Sequence, residues 1–232
     1  MSEQKKPPEQ HRKIRSFVRR EGRFTPAQRD AFERLWPTYG LDPNQGYWDL
    51  SEQFGREAPV ILELGFGDGR VLRMQAARDP AIDFLGVEVH RPGVGRLMRE
   101  LDEDDILNVR LACTDGTEVL ANNIADHSLS GILIFFPDPW HKKRHNKRRL
   151  IQPDFIRLAA SRLKSGGILH MATDWQDYAE QMLEVLTAEP ALVNTIRDGG
   201  FAKRPEGRPV TKYEERGQRL GHGVWDLVFK KR

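Results

Sequence analysis

A glycine-rich segment between acidic residues is the part of the sequence whose residue types most clearly suggest chemistry. It runs from Glu63 to Gly69 (ELGFGDG) and directly follows an apolar run that begins at Pro59. Gly65, Gly67 and Gly69 would let the backbone turn tightly and approach a bound nucleoside without interference from Cβ atoms. The acids would repel phosphates but could face a positively charged group. The segment therefore suits a nucleoside that carries positive charge.

Four further acids each stand at or just after the end of a later strand-like run: Glu88, Asp115, Asp138 and Asp174. In an open parallel sheet, ligands bind beyond the carboxyl ends of the strands, so these side chains should gather at one edge with the glycine segment. Glu88 stands at the distance from the glycines at which a carboxylate can accept two hydrogen bonds from ribose hydroxyls. The sequence thus predicts one acidic ligand site.

The glycine spacing separates two classes of nucleotide enzyme. Dinucleotide-binding enzymes use G-x-G-x-x-G to hold a pyrophosphate at a helix N-terminus, whereas this chain has G-x-G-x-G preceded by Glu63. S-adenosylmethionine has no pyrophosphate, and its sulfonium and amino groups are positive. The spacing therefore favours a methyl-donor site over a nicotinamide site. Asp68 has two interpretations, as part of that site or as a negative charge at a helix N-terminus.

The charge of the chain is unevenly distributed. The net charge is +3, yet residues 1–23 hold eight Lys or Arg against three acids, and residues 141–149 hold six Lys or Arg and no acid. An acidic body with two basic segments suits a polyanionic partner. We expect residues 1 to about 10 to be a disordered, solvated tail. We expect the second segment to contact nucleic acid through Lys142, Lys143, Arg144, Lys147, Arg148 and Arg149.

Strand-like and helical runs alternate along the chain, which predicts an α/β fold with a mostly parallel sheet and helices on both faces. The predicted strands are 59–64, 84–89, 109–113, 131–136, 168–172 and 224–229. The predicted helices are 68–78, 92–102, 153–163 and 176–187. The run 131–136 is so apolar that it should lie at the centre of the sheet. We divide the chain into a basic extension, residues 1–50, and one catalytic domain, residues 51–232.

The remaining reactive side chains give weaker signals. Cys113 and His170 fall inside predicted strands and are expected to be core or edge residues. His141 and His145 lack carboxylate or cysteine partners in the sequence, so we expect no metal site. One cysteine cannot form an internal disulfide, the N-terminus has no secretory apolar run, and the longest apolar stretch is too short to span a bilayer. These features predict a cytoplasmic protein.

Motifs along nearly the whole chain resemble those of the bacterial tRNA guanine-N7 methyltransferases, a family of Rossmann-like class I methyltransferases that modify guanine 46 of the variable loop. The resembling stretches are RSFVRREGR at 15–23, ELGFGDG at 63–69, FPDPWHKKRHNKRR at 136–149, ATDW at 172–175 with Tyr178, and TKYEERGQRLGH at 211–222. The family more often has Pro where this chain has His141. The resemblance implies S-adenosylmethionine as donor, S-adenosylhomocysteine as product, tRNA as substrate and no obligate protein partner.

The resemblance also implies roles for individual residues. It implies that Glu63, Glu88, Asp115 and Asp138 contact the donor beside the three glycines, and that Asp138 also serves in catalysis. It implies tRNA contacts from Lys142, Asp174, Thr211, Lys212, Tyr213 and Glu214, and the basic run adds Lys143 and Arg144 to them.

The chemistry of guanine agrees with this assignment. Guanine N7 keeps an in-plane lone pair, so no base need remove a proton before attack, and carboxylates such as Asp138 and Asp174 could favour the cationic product. Trp140 could stack on a flipped-out base or could be a hydrophobic lid on the following helix. Three alternatives stay open: methylation of another RNA nitrogen, because FPDPW resembles the Asp/Asn-Pro-Pro-aromatic turn of amino methyltransferases; a nicotinamide oxidoreductase; and a catalytically silent RNA-binding protein.

Overall fold

The computed structural model of the protein describes residues 25–210, residue 214 and residues 223–232. Several predictions lie outside these residues. They are the basic and partly disordered character of residues 1–23, the motif at 15–23, and the tRNA contacts of Thr211, Lys212 and Tyr213.

The described residues form a seven-stranded sheet in the order β3-β2-β1-β4-β5-β7-β6. The strands are β1 (Val60–Leu64), β2 (Asp83–Val87), β3 (Val109–Ala112), β4 (Leu129–Phe135), β5 (Leu163–Thr173), β6 (Leu192–Asn194) and β7 (Trp225–Lys231). Strands β1 to β5 pair in parallel, whereas β7 runs antiparallel between β5 and β6. The predicted mostly parallel α/β fold is confirmed.

Helices cover both faces of the sheet, as the sequence predicts. The described helices are α1 (Pro26–Tyr39), α2 (Leu50–Phe54), α3 (Arg70–Arg78), α4 (Arg91–Glu103), α5 (Gly116–Asn122), α6 (Pro153–Arg162) and α7 (Gln176–Ala188). Apolar residues of α1, α3 and α4 form one core cluster with the sheet, and those of α5, α6 and α7 contribute to another. Burying one such Leu, Ile or Phe side chain stabilises the fold by roughly 1.5–3 kcal/mol.

Strand β4 lies at the centre of the sheet, where its apolar sequence predicts it. Gly131 pairs with Ile61 of β1 on one side and with Ile168 of β5 on the other. Six of its seven residues are buried. A strand covered by helices on both faces must be apolar on both faces, which explains the continuous apolar run. The loop that follows β4 therefore starts from a rigid support.

Helix α1 attaches part of the basic extension to the domain. Thr25 and Gln28 form a capping box at its start, and Pro26 occupies its first turn. Its buried residues pack against α4, and Leu41, just after the helix, donates a backbone hydrogen bond to Leu111 of β3. Residues 26–48 thus contact the same sheet that carries the site, while the division at residue 50 stays a prediction.

Several element boundaries differ from the predicted ones. Helix α3 begins at Arg70 rather than Asp68, because Gly69 adopts a left-handed conformation immediately before it. Strand β5 extends from Leu163 through Gly166 and Gly167, well before the predicted start at 168. Helices α1, α2 and α5 and the short strand β6 had no counterpart in the prediction. None of these differences moves an acid away from the end of its strand.

Candidate active site

The glycine segment forms a turn with left-handed backbone at three positions. Gly65, Gly67 and Gly69 have φ values of 75°, 60° and 76°. A Cβ atom at Gly69 would lie 2.6 Å from the side chain of Leu97, so a larger residue would also clash with α4. A Cβ atom at Gly65 or Gly67 would have no neighbour within 4 Å, so there is open space along the turn. Backbone conformation therefore favours glycine at all three positions, and packing against Leu97 also requires it at Gly69.

Glu63 is a buried acid beneath this turn. It is 3% exposed, and its Oε2 atom has no hydrogen-bond partner among the described residues. Burial raises the pKa of Glu63 to about 8, and the negative charges of Asp68 and Glu88 add to this effect. A buried carboxyl group without a partner costs free energy unless a bound group satisfies it. Glu63 is therefore suited to a cationic or hydrogen-bond-donating ligand.

Glu88 joins the end of β2 to the glycine turn. Its Oε2 accepts a hydrogen bond from the backbone N–H of Gly67 at 2.9 Å. Its Oε1 accepts from the backbone N–H groups of Val89 at 2.7 Å and His90 at 3.0 Å. These bonds hold the carboxylate beside the turn, and each oxygen has acceptor capacity beyond them. The half-buried side chain is thus preorganised to accept hydroxyl groups.

A cavity of about 480 Å³ lies beside Val89, the residue that follows Glu88. Val89 and Cys113 line it from the ends of β2 and β3, and Phe32 and Trp36 line it from helix α1. Cys113 is half-buried at the end of its strand, within the predicted choice of core or edge. No pattern in the sequence predicts that α1 lies at the ligand edge of the sheet. The cavity is large enough for an aromatic ring system.

Asp115 and Asp68 both serve local structure at this edge. Asp115 caps α5, and its carboxylate accepts a hydrogen bond from the backbone N–H of Thr117 at 2.9 Å. A Cβ atom at the adjacent Gly116 would lie 2.7 Å from the side chain of Leu64. The backbone next to Asp115 therefore packs closely against the end of β1. Asp68 accepts a hydrogen bond from the backbone N–H of Arg70 at 3.3 Å. This bond fits the helix-terminus interpretation of Asp68 without excluding the other.

Asp138 stands exposed in a constrained loop after β4. Phe136 and Trp140 both have positive φ values, 52° and 48°, which are rare for residues other than glycine. Together with Pro137 and Pro139, they restrict the backbone on both sides of the acid. The sequence predicted the effect of the prolines but not the two left-handed residues. The loop presents a carboxylate to solvent from a rigid frame.

The basic run forms a surface beside this loop. Lys142, Lys143 and Arg144 are exposed, and residues Lys143–Arg148 form a 3₁₀ helix. Arg148 lies over the ring of Trp140, with its Cζ atom 4.5 Å from the ring centroid. The sequence predicts that all six cations of the run contact nucleic acid. Arg149 does not fit this prediction, because its side chain is buried and hydrogen-bonded to protein groups.

Asp174 directly follows β5 and is half-buried. The next residue, Trp175, receives the ring of His141 in an edge contact with the centroids 4.3 Å apart. His141 therefore packs against the loop of Asp174. The loops after β4 and β5 form one surface, and it carries Asp138, Asp174 and the exposed cations.

Glu214 is buried and bonded within the protein. Arg208 donates a hydrogen bond to its carboxylate at 2.6 Å and two more to Asp226 of β7 at 2.7 and 2.9 Å. His170, predicted as a core or edge residue, is buried and hydrogen-bonded to Asp226 at 2.7 Å. Burial raises the pKa of Asp226, but the bonds from His170 and Arg208 outweigh burial and lower it. Sequence reasoning missed this network, because no spacing links Arg208 to its two acids and because His170 lies far from Asp226 in the chain.

Among the described residues, no group of three or more His, Cys, Asp or Glu side chains is arranged to hold a metal ion. No helix in that part of the chain is long and apolar enough to cross a membrane.

The strand order and the glycine turn define a Rossmann-like methyltransferase fold. The chain resembles the crystal structure of the 16S rRNA methyltransferase KamB with a TM-score of 0.59 and 14% sequence identity, covering 81% of this chain and 96% of that one. It also resembles the aminoglycoside resistance methyltransferase NpmB1 with a TM-score of 0.53 and 15% identity, covering 83% and 94%. At these identities the likeness concerns the fold.

Sequence comparisons identify the family. Residues 57–227 match a family model described as "Putative methyltransferase". A tRNA (guanine-N(7)-)-methyltransferase of Methylococcus capsulatus is 56% identical over 95% of this chain and 95% of its own length. Another, of Xanthomonas euvesicatoria pv. vesicatoria, is 57% identical over 95% of this chain, which spans 65% of that relative. The chain belongs to the family of tRNA (guanine-N7)-methyltransferases.

Proposed function

We propose that this protein transfers the methyl group of S-adenosylmethionine to N7 of a guanine in tRNA, at position 46 of the variable loop. The observation that carries the proposal is the pairing of two surfaces at one sheet edge. One is a glycine turn over the buried acid Glu63, and the other is an exposed basic run beside Asp138. The names of close relatives support the same reaction. The protein is proposed to act in the cytoplasm without an obligate protein partner.

The residues around the glycine turn fit the donor. The orphaned oxygen of Glu63 can accept a hydrogen bond from the donor's ammonium group, and Glu88 can accept the ribose hydroxyls. The cavity beside Val89 and Cys113 can take the adenine ring. Asp115 follows β3 at the same edge and is proposed to complete the site. The donor supplies an electrophilic methyl group on a positively charged sulfur.

Guanine N7 needs no deprotonation, so the chain's residues contribute mainly position and electrostatics. Asp138 is proposed as the catalytic group, because a carboxylate in a rigid loop can favour positive charge that develops on the guanine ring. Asp138 is exposed, so this effect depends on the bound base excluding solvent from the loop. Asp138 and Asp174 could also accept hydrogen bonds from the N1–H and N2–H₂ edge, which adenine lacks.

The exposed cations are proposed to hold the tRNA backbone. Lys142, Lys143 and Arg144 can pair with phosphates, and Trp140 at the loop end is proposed to stack on the base. Glu214 is proposed to act on tRNA indirectly, because its carboxylate already pairs with Arg208. The bond fixes one residue of the segment that also contains Thr211, Lys212 and Tyr213.

The decisive experiment maps the modified nucleotide after bulk tRNA is treated with the purified protein and donor. The proposal requires 7-methylguanine at position 46, whereas a methyl group at another nitrogen or no transfer would reject it. A second measurement is single-turnover methylation by Asp138→Ala at saturating donor and tRNA. The rate should fall roughly a hundredfold with little change in tRNA affinity. A folded variant within a few-fold of wild type would remove Asp138 from catalysis.

A further inference from the structure

Arg149 differs from the other cations of the basic run. Its side chain is 1% exposed, although it ends a segment whose neighbours Lys147 and Arg148 are exposed. A buried guanidinium is costly unless its donors are all directed at acceptors. The contacts of Arg149 therefore indicate what the residue is for.

The guanidinium of Arg149 bonds to three groups on two elements. Its Nε donates to the backbone carbonyl of Pro139 at 2.9 Å. Its Nη1 donates to Oε1 of Gln181 at 2.6 Å, and its Nη2 donates to the carboxylate of Asp177 at 2.5 Å. Its Cζ atom lies 4.7 Å from the centroid of the Tyr178 ring. The planar fork of arginine suits this arrangement, which the single charged group of lysine cannot reproduce.

These bonds connect the two loops of the proposed acceptor site. Pro139 directly follows Asp138, and Asp177 and Gln181 belong to α7, which begins two residues after Asp174. A fixed distance between Pro139 and α7 therefore constrains where both acids can lie. The edge contact between His141 and Trp175 joins the same two loops at a second point.

We propose that Arg149 is a positioning residue that sets the placement of Asp138 relative to the loop of Asp174 and does not bind tRNA phosphate. This inference rests on the proposed function, because it concerns the geometry of the same site. To reach a phosphate, Arg149 would have to break three hydrogen bonds and leave Asp177 without its cation. Displacements of about 1 Å in a reacting site can lower rates by roughly a hundredfold, so loss of this tether should reduce turnover.

The test compares Arg149→Lys with two reference variants. Arg157→Lys, on the outer face of α6 and 70% exposed, controls for the substitution itself. Arg144→Gln shows the pattern of a lost phosphate contact, which is weaker tRNA binding and a shallower salt dependence. Arg149→Lys should lower the saturated single-turnover rate roughly 10- to 100-fold while tRNA affinity and its salt slope stay within twofold of wild type. Hydrogen exchange at residues 140–142 should also become faster.

A double-mutant cycle tests whether Arg149 acts through Asp138. In an Asp138→Ala background, Arg149→Lys should add less than about threefold to the loss of rate, because the group it positions is gone. Losses that multiply would overturn the inference, as would a changed salt slope with an unchanged saturated rate. If Arg149→Lys fails to fold, Gln181→Ala removes one bond of the tether and must show the same pattern. A wild-type protein that does not methylate tRNA would instead refute the proposed function.

Discussion

Replacing Glu63 with Gln should uncouple donor binding from proton release. Glu63 is 3% exposed, one of its oxygens has no hydrogen-bond partner among the described residues, and its pKa is raised to about 8. Near neutral pH the free protein therefore holds this carboxyl group mostly protonated. A bound ammonium group favours the ionised form, so binding should expel the proton.

The size of the effect follows from the raised pKa. With a pKa of about 8, roughly nine-tenths of the Glu63 side chains carry a proton at pH 7, so binding should release about 0.9 proton. Affinity for S-adenosylhomocysteine should rise about tenfold per pH unit between pH 5.5 and 7 and level off above pH 8. Affinity rises with pH because the ionised form of Glu63 is the one that binds the ammonium group. Glu63→Gln should lose this dependence and bind more weakly at pH 8.

Isothermal titration calorimetry measures both quantities. Titrating S-adenosylhomocysteine at pH 7 in buffers of different ionisation enthalpy gives the number of protons released, and repeating the titration from pH 5.5 to 8.5 gives the affinity profile. Glu57→Gln, at an exposed acid just before β1, is the matched control and should behave like wild type. Titration of the free ligand is common to all three proteins and cancels in the comparison.

Two results would refute this reasoning. Wild-type protein that binds without releasing protons at pH 7 would show that Glu63 is already ionised or stays neutral in the complex. Equal proton release by wild type and Glu63→Gln would show that the proton comes from another group. In either case the buried acid would have to be assigned a structural role beneath the glycine turn.

Three other expectations are more direct. Glu88→Ala should weaken S-adenosylhomocysteine binding by roughly 1–3 kcal/mol in calorimetry, since it also releases the N–H of Gly67. Changing Lys142, Lys143 and Arg144 to Gln should flatten the log–log salt dependence of tRNA binding by about 0.7–0.9 per lost phosphate contact, with donor binding intact. Asp226→Asn should destabilise the fold by roughly 1–3 kcal/mol near neutral pH, because the neutral amide is a weaker acceptor for Arg208 and His170, while Glu214 still pairs with Arg208. The pKa of Asp226 is lower in the folded protein than in the unfolded chain, so its carboxylate stabilises the fold at any pH above the unfolded pKa. This stabilisation is lost as the pH falls through the folded pKa. The melting temperatures of wild type and Asp226→Asn should therefore converge in acid.

The parts of the fold that could be predicted from sequence are those encoded by neighbouring residues. The apolar run of β4 determines its central place, and the G-x-G-x-G spacing locates the turn after β1. Helix α1 could also have been predicted, because Thr25, Pro26 and Gln28 form a capping signal at its start. Its place beside the ligand cavity could not be predicted from the sequence, since it depends on packing against the distant helix α4.

The parts that sequence could not provide depend on contacts between distant residues. Arg208, Glu214, Asp226 and His170 come from three separate stretches, and none carries a spacing that indicates its partners. For Arg149 the local sequence is misleading. It belongs to a run whose composition indicates an exposed basic surface, but its side chain is buried because Pro139 and α7 provide acceptors for its donors. Composition predicts the average behaviour of a charged segment and cannot identify its exception.

The positions of the acids suggest different kinetic roles for residues of the same chemical type. In the proposed reaction, positive charge moves from the donor's sulfur onto the guanine ring, while the number of charges in the site stays constant. An acid beside the donor, such as Glu63 or Glu88 at the glycine turn, stabilises charge that is already present in the ground state. An acid beside the base, as proposed for Asp138, interacts more strongly as the charge arrives. Loss of the first kind of acid should therefore raise KM for the donor, whereas loss of the second should lower kcat. The structure allows this separation because the acids end different strands, so one site can bind a cation without stabilising it too strongly to react.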